Sequence, residues 1–128
     1  MKKLIFPFFL LLVVWSCSPA QKTGSSDKHP KIINDSTEYE ITIIDPQFDN
    51  WYLMNFSAAK DYSNEFYRSK NQVGVLTWND FYTRNRYHRV IENYIIFDNS
   101  ADYGIEVNRK LYWYFKYVED TFGVNLLH

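Results

Sequence analysis

Among the carboxylates that stand four residues apart in this chain are Asp45 with Asp49 and Asp102 with Glu106. On a helix that spacing puts both acids on one face, and two carboxylates in different environments can divide the roles of general acid and general base. Each pair also has a structural reading that is sufficient by itself. Asp45 and Asp102 stand where a helix cap is needed, and Asp49 and Glu106 then fall in a first turn, where the helix dipole favours negative charge. No catalytic residue is assigned on this basis. His88 lies among Arg84, Arg86 and Arg89 in "TRNRYHRV", a basic run suited to a phosphate, a lipid headgroup or an acidic glycan, and equally to a solvated surface. The chain holds no Ser/His/Asp order, no H-E-x-x-H, no C-x-x-C and no phosphate-cradling glycine loop. With four glycines and one cysteine, neither a metal nor a nucleotide cofactor is expected.

Aromatic rings are the other chemical resource. Tyr, Phe and Trp make up 20% of the residues, and rings that face solvent can stack on sugars. Trp51, Trp78 and Tyr103, with Arg86 and His88, form the candidate binding set. The competing use is a core, because each large ring buries about 150 to 250 Å².

The lone cysteine carries a different chemistry. Met1, Lys2 and Lys3 are followed by the apolar run Leu4 to Trp15. That run is shorter than the roughly 20 residues a spanning helix needs, but it fits the charged start and short apolar segment of an export signal. Val14-Trp15-Ser16-Cys17 resembles a bacterial lipobox, with Trp15 its one departure. Residues 1–16 are therefore expected to be a lipoprotein signal peptide, and Cys17 the site at which diacylglycerol is attached. Several acyl chains give firm anchoring, where one chain holds only marginally. The anchor makes the lipid bilayer the first expected partner. Loss of residues 1–16 removes two lysines and no acid, so net charge moves from −1 to −3. A balance so near neutral argues against a nucleic-acid partner.

These residues must be positioned by a small fold. Residues 17–36 read as the lipidated cysteine and a flexible tether, rich in Ser, Pro, Gly, Lys and Asp, with His29 alone in it. Residues 37–128 read as a single globular domain without internal disulfides. Thr37 to Asp45 alternates Tyr39, Ile41 and Ile43 with polar residues, which predicts a strand. Asp45-Pro46 predicts the start of a helix running to about Asn55. Ser63 predicts the cap of a second helical region burying Phe66, Tyr67, Val73, Leu76 and Phe81, bent or divided near Gly74. Tyr94 to Phe97 is an apolar run fit for a second strand or an extended core segment. Asp102 predicts the cap of a last helix burying Val107, Leu111, Phe115, Val118 and Phe122, ended by Gly123. Its Arg109 and Lys110 suit a solvated face. The fold class is α+β, helix-rich, with one or two short strands.

"EYEITIIDPQFDNWY" (38–52), "WND" (78–80) and "DYGIEVNRKLYWYF" (102–115) resemble an uncharacterised lipoprotein family of Bacteroidota, a domain of unknown function. The resemblance implies a small envelope lipoprotein and supplies no catalytic residue. Asp35-Ser36-Thr37 is similar to the short O-glycosylation pattern of exported proteins in those bacteria, which makes Ser36 a candidate modification site. Ser18 to Gln21 hold no acid, so the anchored protein is expected at the outer membrane facing the periplasm, the cell surface being the alternative. An outer-membrane protein or peptidoglycan is then within reach as a partner. The reading that results is a non-enzymatic binding or scaffolding lipoprotein, and its alternative is a small glycan-processing or other hydrolytic enzyme.

Overall fold

Asp45 and Pro46 set the first helix of the domain. The Asp45 carboxylate accepts from the backbone N–H groups of Gln47 at 3.0 Å and Phe48 at 3.3 Å. Pro46 opens α1, Pro46–Asn55, where its missing N–H would have had no helical partner. The computed structural model describes residues 30–35 and 38–128. Cys17, the segment before it, His29 and Ser36 lie outside the described residues. Two further helices, α2 (Asn64–Thr83) and α3 (Ile105–Phe122), join a two-stranded antiparallel sheet of β1 (Lys31–Asp35) and β2 (Glu38–Thr42) in an α+β domain.

β1 corrects the expected tether at its C-terminal end. Ile32 and Ile33 are the only branched apolar residues of that polar stretch, yet the strand pairs with β2 in a register that sets Ile32 opposite Ile41 and Ile33 opposite Glu40. Both Ile32 and Ile41 are half-buried against the core. A β-branched pair across two strands supplies packing that neither residue has alone. The second strand of the fold thus comes from the tether, not from residues 94–97. That segment is irregular, and one side chain replaces a strand partner. The Asn79 amide accepts from the Ile95 N–H at 2.8 Å and donates to the Ile95 carbonyl at 2.9 Å, holding Ile95 in the core.

α3 is the central element. Its residues 111–115, Leu-Tyr-Trp-Tyr-Phe, are all buried, as expected of a helix covered on several sides. α2 is one unbroken helix capped by Ser63, whose Oγ accepts from the Phe66 N–H at 3.2 Å. It turns Tyr67, Asn71, Gly74 and Trp78 inward, a stripe at intervals of four, three and four residues. Val73 and Leu76, expected in the core, are 39% and 69% exposed. Apolar spacing alone does not reveal this stripe, because its inward positions include Asn71 and Gly74. Asn71 donates its Nδ2 to the Asn108 carbonyl at 2.8 Å, and Gly74 admits the Phe115 ring.

The ends of the last two helices were less local than expected. After α2, Asn85 takes a left-handed conformation (φ 55°), and the Arg86 N–H returns to the Phe81 carbonyl at 2.8 Å, closing the helix as a Schellman motif. Asp102 does not cap α3. The helix begins at Ile105, three residues later, after Gly104 at φ 86° and ψ 157°, a conformation open essentially to glycine alone. The Asp102 carboxylate instead accepts from the Gly104 N–H at 3.1 Å. Gly123 ends the helix in the left-handed region as expected, but Phe122 beside it is 46% exposed.

Candidate functional site

The five candidate binding residues are dispersed. Trp78 is fully buried, and its Nε1 donates to the Asn93 carbonyl at 2.7 Å. It belongs to the core, which corrects its assignment as a platform. Tyr103 is a latch: its hydroxyl accepts from the Asp98 N–H at 2.8 Å, and its ring meets Tyr39 edge-on at 4.6 Å and Phe97 at 5.1 Å. Arg86 and His88 stand exposed after α2. The Arg86 guanidinium lies 5.2 Å from the Phe81 ring and 5.3 Å from the Tyr87 ring, so aromatic faces already engage that cation. Arg84 is paired with Asp80 at 3.0 Å. Only Trp51 lies at a groove that joins two helices.

That open groove, of about 410 Å³, runs between α1 and the C-terminal half of α3. Trp51 and Trp113 line it, their ring centres 6.2 Å apart and their planes 47° from parallel. Trp51 is held in orientation because its Nε1 donates to Asp120 Oδ2 at 3.1 Å. Asn55, one turn further along α1, donates to the Trp51 carbonyl at 2.7 Å, and Lys60 donates to the Asn55 carbonyl at 3.2 Å. Glu119 closes the far end by accepting from the N–H groups of Leu126 at 2.9 Å and Leu127 at 3.0 Å. One carboxylate thereby ties the C-terminal segment across the last turn of α3.

Behind Trp113 is a polar network that the sequence did not reveal. Arg109 makes a two-pronged pair with Asp61, Nε to Oδ1 at 2.9 Å and Nη2 to Oδ2 at 2.8 Å. The Tyr67 hydroxyl donates to the same carboxylate and accepts from Trp113 Nε1 at 3.2 Å. Arg109 also lies 5.7 Å from the Phe56 ring, which stacks on Tyr52 at 4.9 Å. Arg109 is therefore not on a solvated face. No local signal linked it to Asp61, which is 48 residues earlier in the chain.

The network acts on ionisation in one direction. Hydrogen bonds from Arg109 first, and then from Tyr67, hold the Asp61 carboxyl down at about 2, against the usual 3.8. The same pairing with Asp61 raises Arg109. Burial raises Tyr52, Tyr67 and Tyr114, and lifts Tyr112 and Tyr117 to about 12. Asp98 is lowered chiefly by the Ser100 hydroxyl and Asp102 chiefly by the Gly104 N–H. Each of these groups moves away from neutrality. None is tuned toward the range in which a side chain gives and takes protons efficiently at neutral pH.

A folded-state pKa below the unfolded value stabilises the fold above the unfolded value, and that stabilisation is lost as pH falls through the folded one. For Asp61 the window runs from about 4 down to about 2. Denaturant midpoints of the wild type and Asp61→Asn should be farthest apart at pH 5 to 7 and should converge across that window. A gap that stays constant to pH 2 would remove Asp61 from the ionised pair.

Two other open grooves are larger but less organised around aromatic faces. One, of about 680 Å³, lies between β2 and the start of α3 and includes Tyr103, Asp102 and Glu106. The other, of about 440 Å³, places Arg89, Asp45 and Glu92 around Tyr114. None of the three grooves contains two of the five candidate residues. Among the described residues, no group of three or more His, Cys, Asp or Glu is placed to hold a metal ion. Among the same residues, no helix is long and apolar enough to cross a membrane.

These features define a small aromatic-cored α+β domain with an indole-lined groove on one side. The chain belongs to the family of unknown function DUF6146, whose model matches residues 4–128. No curated protein and no solved structure matches it significantly.

Proposed function

We propose that this protein is a lipid-anchored lipoprotein of the cell envelope, of the kind found in Bacteroidota, and that its domain is a non-enzymatic binding module. The observation that carries the anchor is the sequence Val14-Trp15-Ser16-Cys17 at the end of a charged start and a short apolar run. The family match takes in that segment together with the domain, which supports reading leader, cysteine and domain as one unit. β1 begins at Lys31, so thirteen residues separate Cys17 from the sheet. Even fully extended they reach at most about 45 Å. The domain therefore acts close to the bilayer that holds it. With no acid among Ser18 to Gln21, the proposed position is the outer membrane, facing the periplasm, where outer-membrane proteins and peptidoglycan are within reach.

Binding is preferred to catalysis because the shifted side chains are driven away from neutrality, while the Trp51 groove offers fixed aromatic and polar surface. A hydrolytic role would call for a carboxyl raised toward neutral pH, as in paired-carboxylate sites. Labelled fatty acid should enter the wild-type protein and not Cys17→Ser. In intact cells, added protease should spare an epitope on the domain and destroy it once the outer membrane is permeabilised. Equal labelling of both proteins would end the anchored reading. Digestion on intact cells would move the domain to the cell surface.

A further inference from the structure

We infer that the groove between α1 and the C-terminal half of α3 is a binding site for a neutral saccharide, with Trp51 as its stacking platform; this deepens the binding-module reading and rests on it. Three observations converge. The first is the fixed indole. Trp51 packs on Tyr117 at 5.7 Å and on Trp113 at 6.2 Å, and its Nε1 is engaged by Asp120, so the ring remains half-buried in a defined orientation. A ring held this way loses little freedom on binding.

The second is charge. Lys60, Lys116, Glu119 and Asp120 all line the groove, and Lys116 is already 3.6 Å from Glu119, one turn along α3. His128 lies 3.8 Å from the same carboxylate, and the two lysines and two acids of the lining balance one another in charge. An anion or a cation would gain no net attraction from these four groups and would have to compete with the Lys116–Glu119 pair. A neutral polar ligand meets no such cost.

The third is the mixture of donors and acceptors. Asn125 is exposed at the groove with a complete amide. Asn55 uses its Nδ2 on the Trp51 carbonyl, which turns its Oδ1 to account as an acceptor, and Lys60 retains N–H groups beyond the one donated to the Asn55 carbonyl. Sugar hydroxyls both donate and accept, while the C–H face of the ring is apolar. Aromatic surface bordered by mixed polar groups therefore matches both parts of a saccharide. The volume of about 410 Å³ falls within the range of about 300 to 1,000 Å³ typical of small-molecule sites.

The test uses the full-length chain in detergent, titrated with tetramers of N-acetylglucosamine and of α-linked glucose, followed by calorimetry and tryptophan emission. At least one tetramer should bind. Trp51→Ala should weaken it by about tenfold to a hundredfold, the scale of one stacked ring, and Trp51→Phe should fall between. Asn125→Ala, at an exposed position that cannot disturb the core, should weaken it about threefold to tenfold. Failure of both tetramers to bind, or unchanged binding by both Trp51→Ala and Asn125→Ala, overturns the inference and leaves the anchored binding module standing. Mass spectrometry of the bound sugar separates the two ideas in the other direction. An intact tetramer supports both, whereas cleaved products keep the site and overturn the non-enzymatic reading.

Discussion

Replacing Trp78 with alanine is expected to cost about 3 to 5 kcal/mol of folding stability, the largest loss from any single change considered. Trp78 is 0% exposed. Its ring lies 6.0 Å from both Tyr114 and Phe115, on the face of α3 that α2 covers. Truncation leaves a cavity that these rings cannot fill by small movements, because interiors are packed as densely as organic crystals. It also deprives the Asn93 carbonyl of its donor at 2.7 Å, and an orphaned polar group adds to the loss. A domain of this size has only about 5 to 15 kcal/mol in total, so Trp78→Ala should be close to unfolding at room temperature. Denaturant midpoints by circular dichroism are the measurement. Trp78→Phe, which keeps a ring but not the donor, should fall between the two. A midpoint for Trp78→Ala within about 1 kcal/mol of wild type would mean that the indole does not hold α2 to α3.

Gly74→Ala should destabilise as well, contrary to the ordinary rule for helices. In a helix interior alanine is favoured over glycine by about 1 kcal/mol, and Gly74 stands in the middle of α2. Here a Cβ would lie 2.5 Å from Phe115 Cδ2, 2.6 Å from Cε2 and 3.1 Å from a methyl of Leu127. Phe115 is fully buried and Leu127 nearly so, so neither is a flexible end that can swing into solvent. Overpacking costs about 1 to 3 kcal/mol, which outweighs the gain in helix propensity. The expected net loss lowers the melting temperature by several degrees, at roughly 4 to 8 °C per kcal/mol for a domain of this size. Adding Phe115→Leu removes the ring edge that the methyl would strike. Gly74→Ala should then cost less in the Phe115→Leu background than in wild type. A double-mutant cycle showing strict additivity would place the clash elsewhere.

Both substitutions act on the same contact, between the Gly74–Trp78 stripe of α2 and the Phe115 region of α3. The groove depends on that contact at one remove. Trp113, two residues before Phe115 on α3, lines the groove and is steadied by Tyr67, Asp61 and Arg109. Anything that loosens α3 should reduce the order of the groove before it abolishes the fold. In the proposed setting, the lipid anchor supplies location and this rigid side of the domain supplies recognition.

What the sequence determined by itself was local or compositional. The charged start, short apolar run and cysteine define the proposed address within seventeen contiguous residues. Asp45-Pro46 and Ser63 mark helix starts, and Gly123 a helix stop, because a cap is satisfied within a few residues of itself. The apolar spacing along α3 placed Val107, Leu111, Phe115 and Val118 inside, and the α+β class followed. Tertiary structure alone decided the rest. The isoleucines of β1 became a strand only through pairing with β2, Ile95 found its backbone partner on Asn79, sixteen residues away, and Arg109 found Asp61 at a separation of 48. Trp51 and Trp78 are the same residue type at similar helical spacing, yet one borders a groove and the other is sealed. Spacing states which residues share a face. Only the packing of α1 and α2 around α3 states which face is covered, because burial is a property of the neighbours and not of the segment.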